Sequence, residues 1–283
     1  MSQLSEGSIR VGGRRLRYLV GGSGPPLLLC HGFMGSAENF ATWSEALTLR
    51  RTLVIPDLPG CGASDPLAAP HTAIALGDAL LPFLDELSIE RFDLGGLCLG
   101  VPVAMAVMRR RPRAVGQLVL HTPVLSASLV RRSFHFQVGV FTSPVAYPVV
   151  VWLKNQRWVS DIYKRLMVEG DNVDRGAAEV NYRNQLRADP RATREWLRDG
   201  LRCEDVALLA THAEGALLIA AADDRIVDVQ RLRGLCEQHP SLRLFVDGDA
   251  GHGWTAAAVE RQLAAITGYL DGEPGTAAGS PAA

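Results

Sequence analysis

Little in this 283-residue sequence ties it to a charged partner, a covalent framework or a membrane. Its 29 Lys and Arg side chains are offset by 30 Asp and Glu, giving a formal net charge of -1. No global field therefore draws it to nucleic acid or to an anionic surface, and no nucleic-acid partner is expected. The five cysteines, Cys30, Cys61, Cys98, Cys203 and Cys236, are odd in number and contain no C-x-x-C pair. That argues against a disulfide framework and against a zinc site, so each thiol is read singly, and neither a metal nor a cofactor is expected. No uninterrupted apolar run reaches membrane-spanning length, and Met1 to Gly7 lacks the basic and apolar blocks of a signal peptide. The expectation is a cytoplasmic protein without a membrane span.

What the chain does have is apolar mass: 47% of its residues are hydrophobic, enough for a large core, read here as one domain carrying an insertion. Ser8 to Val20 reads as two short strands around Gly12-Gly13. Continuously apolar runs at Pro26–Cys30, Thr52–Ile55, Val115–His121 and Ala216–Ala221 have the character of parallel strands buried on both faces. Helical spacing fills 37–49 and 72–87, so strand and helix alternate as in a mostly parallel central sheet flanked by helices. From Thr122 to His212 the alternation stops, and proline-broken helical segments rich in aromatics take its place. It resumes through the strand Leu242–Val246 and a last amphipathic helix, 255–270. The expected division is a core of 1–121 and 213–270, an insertion of 122–212, and a Gly-, Pro- and Ala-rich tail, 271–283, with no means of ordering itself.

The stretch that organises these pieces is Phe92-Asp93-Leu94-Gly95-Gly96-Leu97-Cys98-Leu99-Gly100-Val101. An apolar run ends at two glycines, one polar side chain follows at Cys98, and Gly100 opens a segment of helical spacing. Gly96-x-Cys98-x-Gly100 resembles the nucleophile elbow of the α/β-hydrolase fold, with cysteine where serine is usual. Three other segments resemble that fold. His31-Gly32-Phe33-Met34 is similar to its H-G-x loop, which implies that the Phe33 and Leu99 amides form an oxyanion hole, with His31 a loop-fixing residue. Asp57 to Asp65 is similar to its D-x-x-G-x-G-x-S loop, whose Asp57 and Ser64 read as loop-locking hydrogen-bonders. Asp223-Asp224-Arg225 resembles its acid turn, and Gly251-His252-Gly253 its histidine loop.

The resemblance spans 8–270 and implies a triad of Cys98, His252 and Asp224 in the chain order that this fold uses, with Asp223 as a turn-capping neighbour. It also implies that 122–212 is a helical lid after the sixth strand, over a pocket lined by Met34, Tyr147, Trp152 and Trp254. A thiolate is a better leaving group than an alkoxide, so Cys98 favours thioesters, lactones or activated esters, hydrolysed or transferred. The acyl substrate is a small molecule, free or borne on a carrier protein or coenzyme A. The arginines 183, 187, 191, 194, 198 and 202 recur at helical spacing. They read either as solvated faces partly paired with Glu195 and Asp199, or as a docking face for an acidic carrier protein. Two other classes share the fold: a non-catalytic ligand receptor, and a cofactor-independent perhydrolase or lyase.

Overall fold

The computed structural model describes residues 4–165, 175–252 and 256–273. Eight strands form one sheet: β1 (Ser5–Val11), β2 (Arg14–Gly22), β3 (Pro26–Cys30), β4 (Thr52–Pro56), β5 (Phe92–Leu97), β6 (Val115–His121), β7 (Ala216–Ala221) and β8 (Leu242–Asp247). Their order across the sheet is β1-β2-β4-β3-β5-β6-β7-β8. β1 and β2 are an antiparallel hairpin at one edge, β2 pairs antiparallel with β4, and the remaining pairs are parallel. The helices are α1 (Ala41–Leu47), α2 (Ala73–Glu86), α3 (Gly100–Arg110), α4 (Arg132–Phe141), α5 (Tyr147–Lys154), α6 (Arg157–Lys164), α7 (Arg175–Arg187), α8 (Pro190–Gly200), α9 (Val206–Ala210), α10 (Val229–Gln238) and α11 (Ala256–Leu270).

The apolar runs are buried on both faces because neighbouring residues of a strand point to opposite sides. Leu28, Val54 and Leu94 enter one hydrophobic cluster with α2 and α3, while Leu27, Leu29, Leu53 and Ile55 enter another with α1 and α11. Each such fully buried Leu or Ile contributes about 1.5–3 kcal/mol. The helix expected at 37–49 is split into a single 3-10 turn, Ala37–Phe40, and α1.

Between β6 and β7 the chain folds into α4 to α9. Here α8 is tied to the core by buried residues such as Trp196 and Leu197. Asp189 caps it through the Ala192 amide at 2.8 Å, and Pro190 opens its first turn. α5, in contrast, has no buried residue. The arginine stripe does not lie on one free face. Arg194 Nε donates to the Thr142 carbonyl at 2.9 Å, and its guanidinium lies over the Tyr147 ring. Arg191 donates to the Leu67 carbonyl. The expected partners face elsewhere: Glu195 Oε2 accepts from His71, backbone and ring, and Asp199 Oδ2 accepts from the Ala73 amide at 2.7 Å. The two acids pin α8 to the start of α2, with the Arg191 charge also acting on Glu195. No helix among the described residues is long and apolar enough to cross a membrane.

Candidate active site

Cys98 sits between β5 and α3 with φ of +52°, a left-handed conformation that costs a residue with a Cβ roughly 1–3 kcal/mol. The turn is held at both ends. The Cys98 amide donates to the His121 carbonyl at 2.9 Å, and its carbonyl accepts from the Val101 amide at 3.1 Å. The flanking glycines have steric reasons. A Cβ on Gly96 would lie 2.8 Å from Val101 Cα, and one on Gly100 would lie 2.3 and 2.4 Å from the carbonyl oxygens of Cys30 and His31. Only glycine lets β3 and the first turn of α3 approach this closely.

The loop after β3 packs against that turn: a Cβ on Gly32 would be 3.5 Å from the Cys98 Cβ. Phe33 follows Gly32, and Leu99 follows Cys98, which puts the two amides expected to receive an oxyanion on the two segments that meet there. Met34 follows with φ of +50°, a second strained position. His31 is fully buried. Its Nε2 accepts from the Leu58 amide at 2.9 Å and its Nδ1–H donates to the Gly32 carbonyl at 2.9 Å, while burial lowers its basicity. It fixes two loops, with both ring nitrogens engaged. Asp57 behaves likewise, accepting from the amides of Ala37 and Ala63, each at 2.8 Å, and pairing with Arg17. Ser64 Oγ accepts from the Arg17 amide at 2.9 Å.

Asp224 follows β7 and is 1% exposed. Its Oδ1 accepts the amides of Ile226 and Val227 at 2.7 and 2.9 Å, and its Oδ2 lies 2.9 Å from His252 Nδ1. Burial works to raise its pKa, but the imidazole and the two amides together hold the carboxyl below the usual range. Burial likewise works to depress the His252 imidazole. The Asp224 charge, then the charge and hydrogen bonding of Cys98, overcome it and raise the pKa well above 6.5. An ionised carboxylate beside Nδ1 requires a proton there, which leaves Nε2 for the thiol. Asp223, in the same turn, is exposed, its amide donating to the Ala250 carbonyl at 3.2 Å.

Burial pushes Cys30 and Cys61 up to about 12 and Cys236 up to about 11, and raises Cys203 further. All four stay protonated near neutral pH.

Of the residues expected to line a pocket, Trp152 is 62% exposed on α5 and forms no inner wall. α5 turns Val149 and Trp152 outward, which the spacing of its residues could not reveal. Tyr147 is half-buried, its hydroxyl donating to the Pro190 carbonyl and lying 3.0 Å from Thr193 Oγ1, so it braces α5 against α8. Trp254 lies outside the described residues.

Two residues near the site escape a reading of the sequence. Arg131, just before α4, donates from Nε to the Asp224 carbonyl at 2.8 Å and from its amide to the Ile226 carbonyl at 2.8 Å, so the insertion clamps the acid turn. Trp196 of α8 is 1% exposed and meets the rings of Phe33 and His31 edge-on, with centroids 6.2 Å away in each case. Both contacts join segments far apart in the chain and leave no local pattern.

The family model that describes the alpha/beta hydrolase fold matches residues 25–142, a stretch that holds the H-G loop, the elbow and β6. The chain has the α/β-hydrolase fold. It is 26% identical over 280 residues to a 2-hydroxymuconate semialdehyde hydrolase of Pseudomonas sp. (strain CF600), an alignment covering 91% of this chain and 90% of that one. Among solved structures, E-2-(acetamidomethylene)succinate hydrolase has a TM-score of 0.78 at 19% identity, covering 95% of this chain and 99% of its own. The enol-lactonase from Burkholderia xenovorans LB400 has a TM-score of 0.73 at 18% identity, covering 94% and 100%. These two likenesses speak for the α/β-hydrolase fold alone.

Proposed function

We propose that the protein is an acyl-transfer enzyme that hydrolyses a thioester, lactone or activated ester, or passes its acyl group to an acceptor, through an acyl-Cys98 intermediate. The observation that carries the reading is the strained elbow cysteine beside a histidine whose far nitrogen is held by a buried carboxylate. Cys98 Sγ, its proton passed to His252 Nε2, would attack the acyl carbonyl carbon, and the carbonyl oxygen would take the negative charge beside the Phe33 and Leu99 amides. When the tetrahedral adduct collapses, the bond to the leaving sulfur or oxygen breaks and that atom takes the proton from His252. Water or an acceptor alcohol or amine then attacks the acyl-cysteine with His252 as base, restoring the thiol. Asp224 fixes the imidazole and stabilises its cation throughout.

The hydrolase name of the semialdehyde relative supports this class of chemistry. Cysteine narrows it. From the adduct of an unactivated ester or amide, the thiolate would leave before the alkoxide or amine, so a thioester or a good leaving group is needed for forward flux. The segment between β6 and β7 acts as the lid in this reading, with α8 rather than α5 against the site. The test is intact-mass spectrometry after exposure to a panel of acyl thioesters and activated esters. An acyl adduct on Cys98, absent from Cys98→Ala, is expected; no adduct and unimpaired turnover in Cys98→Ala would end the reading.

A further inference from the structure

A buried donor without a partner costs about 1–3 kcal/mol, so native proteins seldom keep one without a use. Among the described residues, Trp196 Nε1 and Thr122 Oγ1 are buried with no hydrogen-bond partner, and both belong to residues beside the elbow. Thr122 is fully buried and follows His121, the residue whose carbonyl receives the Cys98 amide. Its φ is +42°, so like Cys98 and Met34 it is held in a strained conformation at the carboxyl end of the parallel strands. Its own amide donates to the Ile219 carbonyl at 2.7 Å, which ties that backbone to β7.

Trp196 reaches the loop after β3 from α8 of the insertion. Its indole packs edge-on against Phe33, while one turn further along α8 a Cβ on Gly200 would lie 2.7 Å from Leu99 Cδ2. A single helix of the insertion thus touches both residues whose amides would hold the oxyanion. His71, through Glu195, and Ala73, through Asp199, keep that helix in register. An indole placed here only to fill space could as well be a phenyl ring, which brings no donor to satisfy.

We propose that Trp196 Nε1–H and the Thr122 hydroxyl bind an oxygen that the acyl group carries beyond its scissile carbonyl. The substrate class is then a keto-acyl or hydroxy-acyl donor rather than a plain alkanoyl chain. The proposal rests on the acyl-transfer reading and adds to it the polarity of the acyl pocket. A site built to hydrogen-bond a substrate discriminates strongly against the analogue that lacks the group, because its own polar atoms are then left unpaired.

The test compares 4-nitrophenyl 4-oxopentanoate with 4-nitrophenyl pentanoate, which differ by one keto oxygen. The wild type should favour the keto ester in kcat/KM by about tenfold or more, and Trp196→Phe and Thr122→Val should each bring the ratio to within about threefold of unity. The ratio is blind to a general folding loss, which lowers both rates together. Thr122→Val should also leave the melting temperature level or higher, since it removes an unpartnered buried hydroxyl without changing shape. No preference in the wild type, or parallel losses that leave the ratio where it was, would overturn the proposal. Should neither ester acylate Cys98, the acyl-transfer reading fails instead, and calorimetric titration of Cys98→Ala with the two esters decides the pocket. Tighter binding of the keto ester, lost on adding Trp196→Phe, upholds the proposal, and equal binding overturns it.

Discussion

His252 Nδ1 stands 2.9 Å from Asp224 Oδ2, while the other carboxylate oxygen is engaged by the amides of Ile226 and Val227. The neighbouring Asp223 is exposed and its carboxylate has no such setting. Asp224→Asn should therefore lower kcat/KM about a thousandfold or more by disturbing the tautomer, with Asp223→Asn within about threefold of wild type. Steady-state kinetics on one thioester decide it, and equal losses would remove the assignment of the acid.

The same pair makes a prediction about pH. His252 has a raised pKa in the folded state, so its contribution to stability is full below its unfolded value near 6.5 and is lost as pH rises through the folded value. Asp224 has a lowered pKa, so its contribution is full above its unfolded value near 3.8 and is lost as pH falls through the folded value. The stability gap between wild type and Asp224→Asn should be largest between about pH 4 and 6.5 and should narrow on either side. Urea midpoints at pH 3, 5.5 and 9 measure it. The His252 imidazole, followed by NMR, should titrate lower in Asp224→Asn, where the larger of the charges that oppose burial is gone.

The chain order of Cys98, Asp224 and His252 could be read along the sequence because each sits in a loop of fixed local grammar: glycines where backbones touch, an aspartate ahead of a turn, a histidine after the last strand. Apolar runs were likewise local signals, and the sheet followed from them. The outward face of α5, the turn of Glu195 and Asp199 toward α2, and the clamp of Arg131 on Asp224 depend on which segments meet in space. Trp152 illustrates the limit. An aromatic in an apolar stretch is equally compatible with a pocket wall and with a solvent-facing ridge, and only the packing of α5 separates them.

The two glycine environments permit a controlled comparison of stability. Gly100→Ala forces a Cβ against two backbone carbonyls, which cannot swing aside as a side chain can. A loss of about 1–3 kcal/mol is expected, with a larger fall in turnover because the carbonyls belong to the strand end that carries the H-G loop. Gly234, inside α10, meets nothing within 4 Å. Gly234→Ala should stabilise by about 0.5–1 kcal/mol through helix propensity. Chemical denaturation reads both, and a Gly100→Ala protein of wild-type stability would contradict the close approach of β3 to α3.

Reactivity of the five thiols bears on Cys98 most directly. Burial holds Cys30, Cys61, Cys203 and Cys236 protonated near neutral pH, and a protonated thiol alkylates slowly. Cys98 stands beside His252, which can take its proton, and at the amino end of α3, whose dipole favours negative charge. Iodoacetamide at pH 7 should therefore modify the Cys98 peptide first, with loss of turnover in proportion to its labelling. His252→Ala should slow that labelling by about tenfold or more while leaving the other four peptides as they were. Cys98→Ser should retain hydrolysis of activated esters while losing its advantage on thioesters, because the alkoxide is the weaker nucleophile and the poorer leaving group. Peptide mapping with paired ester and thioester kinetics measures all three outcomes. Labelling that falls first on Cys30 or Cys61, with full activity in Cys98→Ala, would make the elbow a structural turn and leave the acyl-enzyme without a nucleophile.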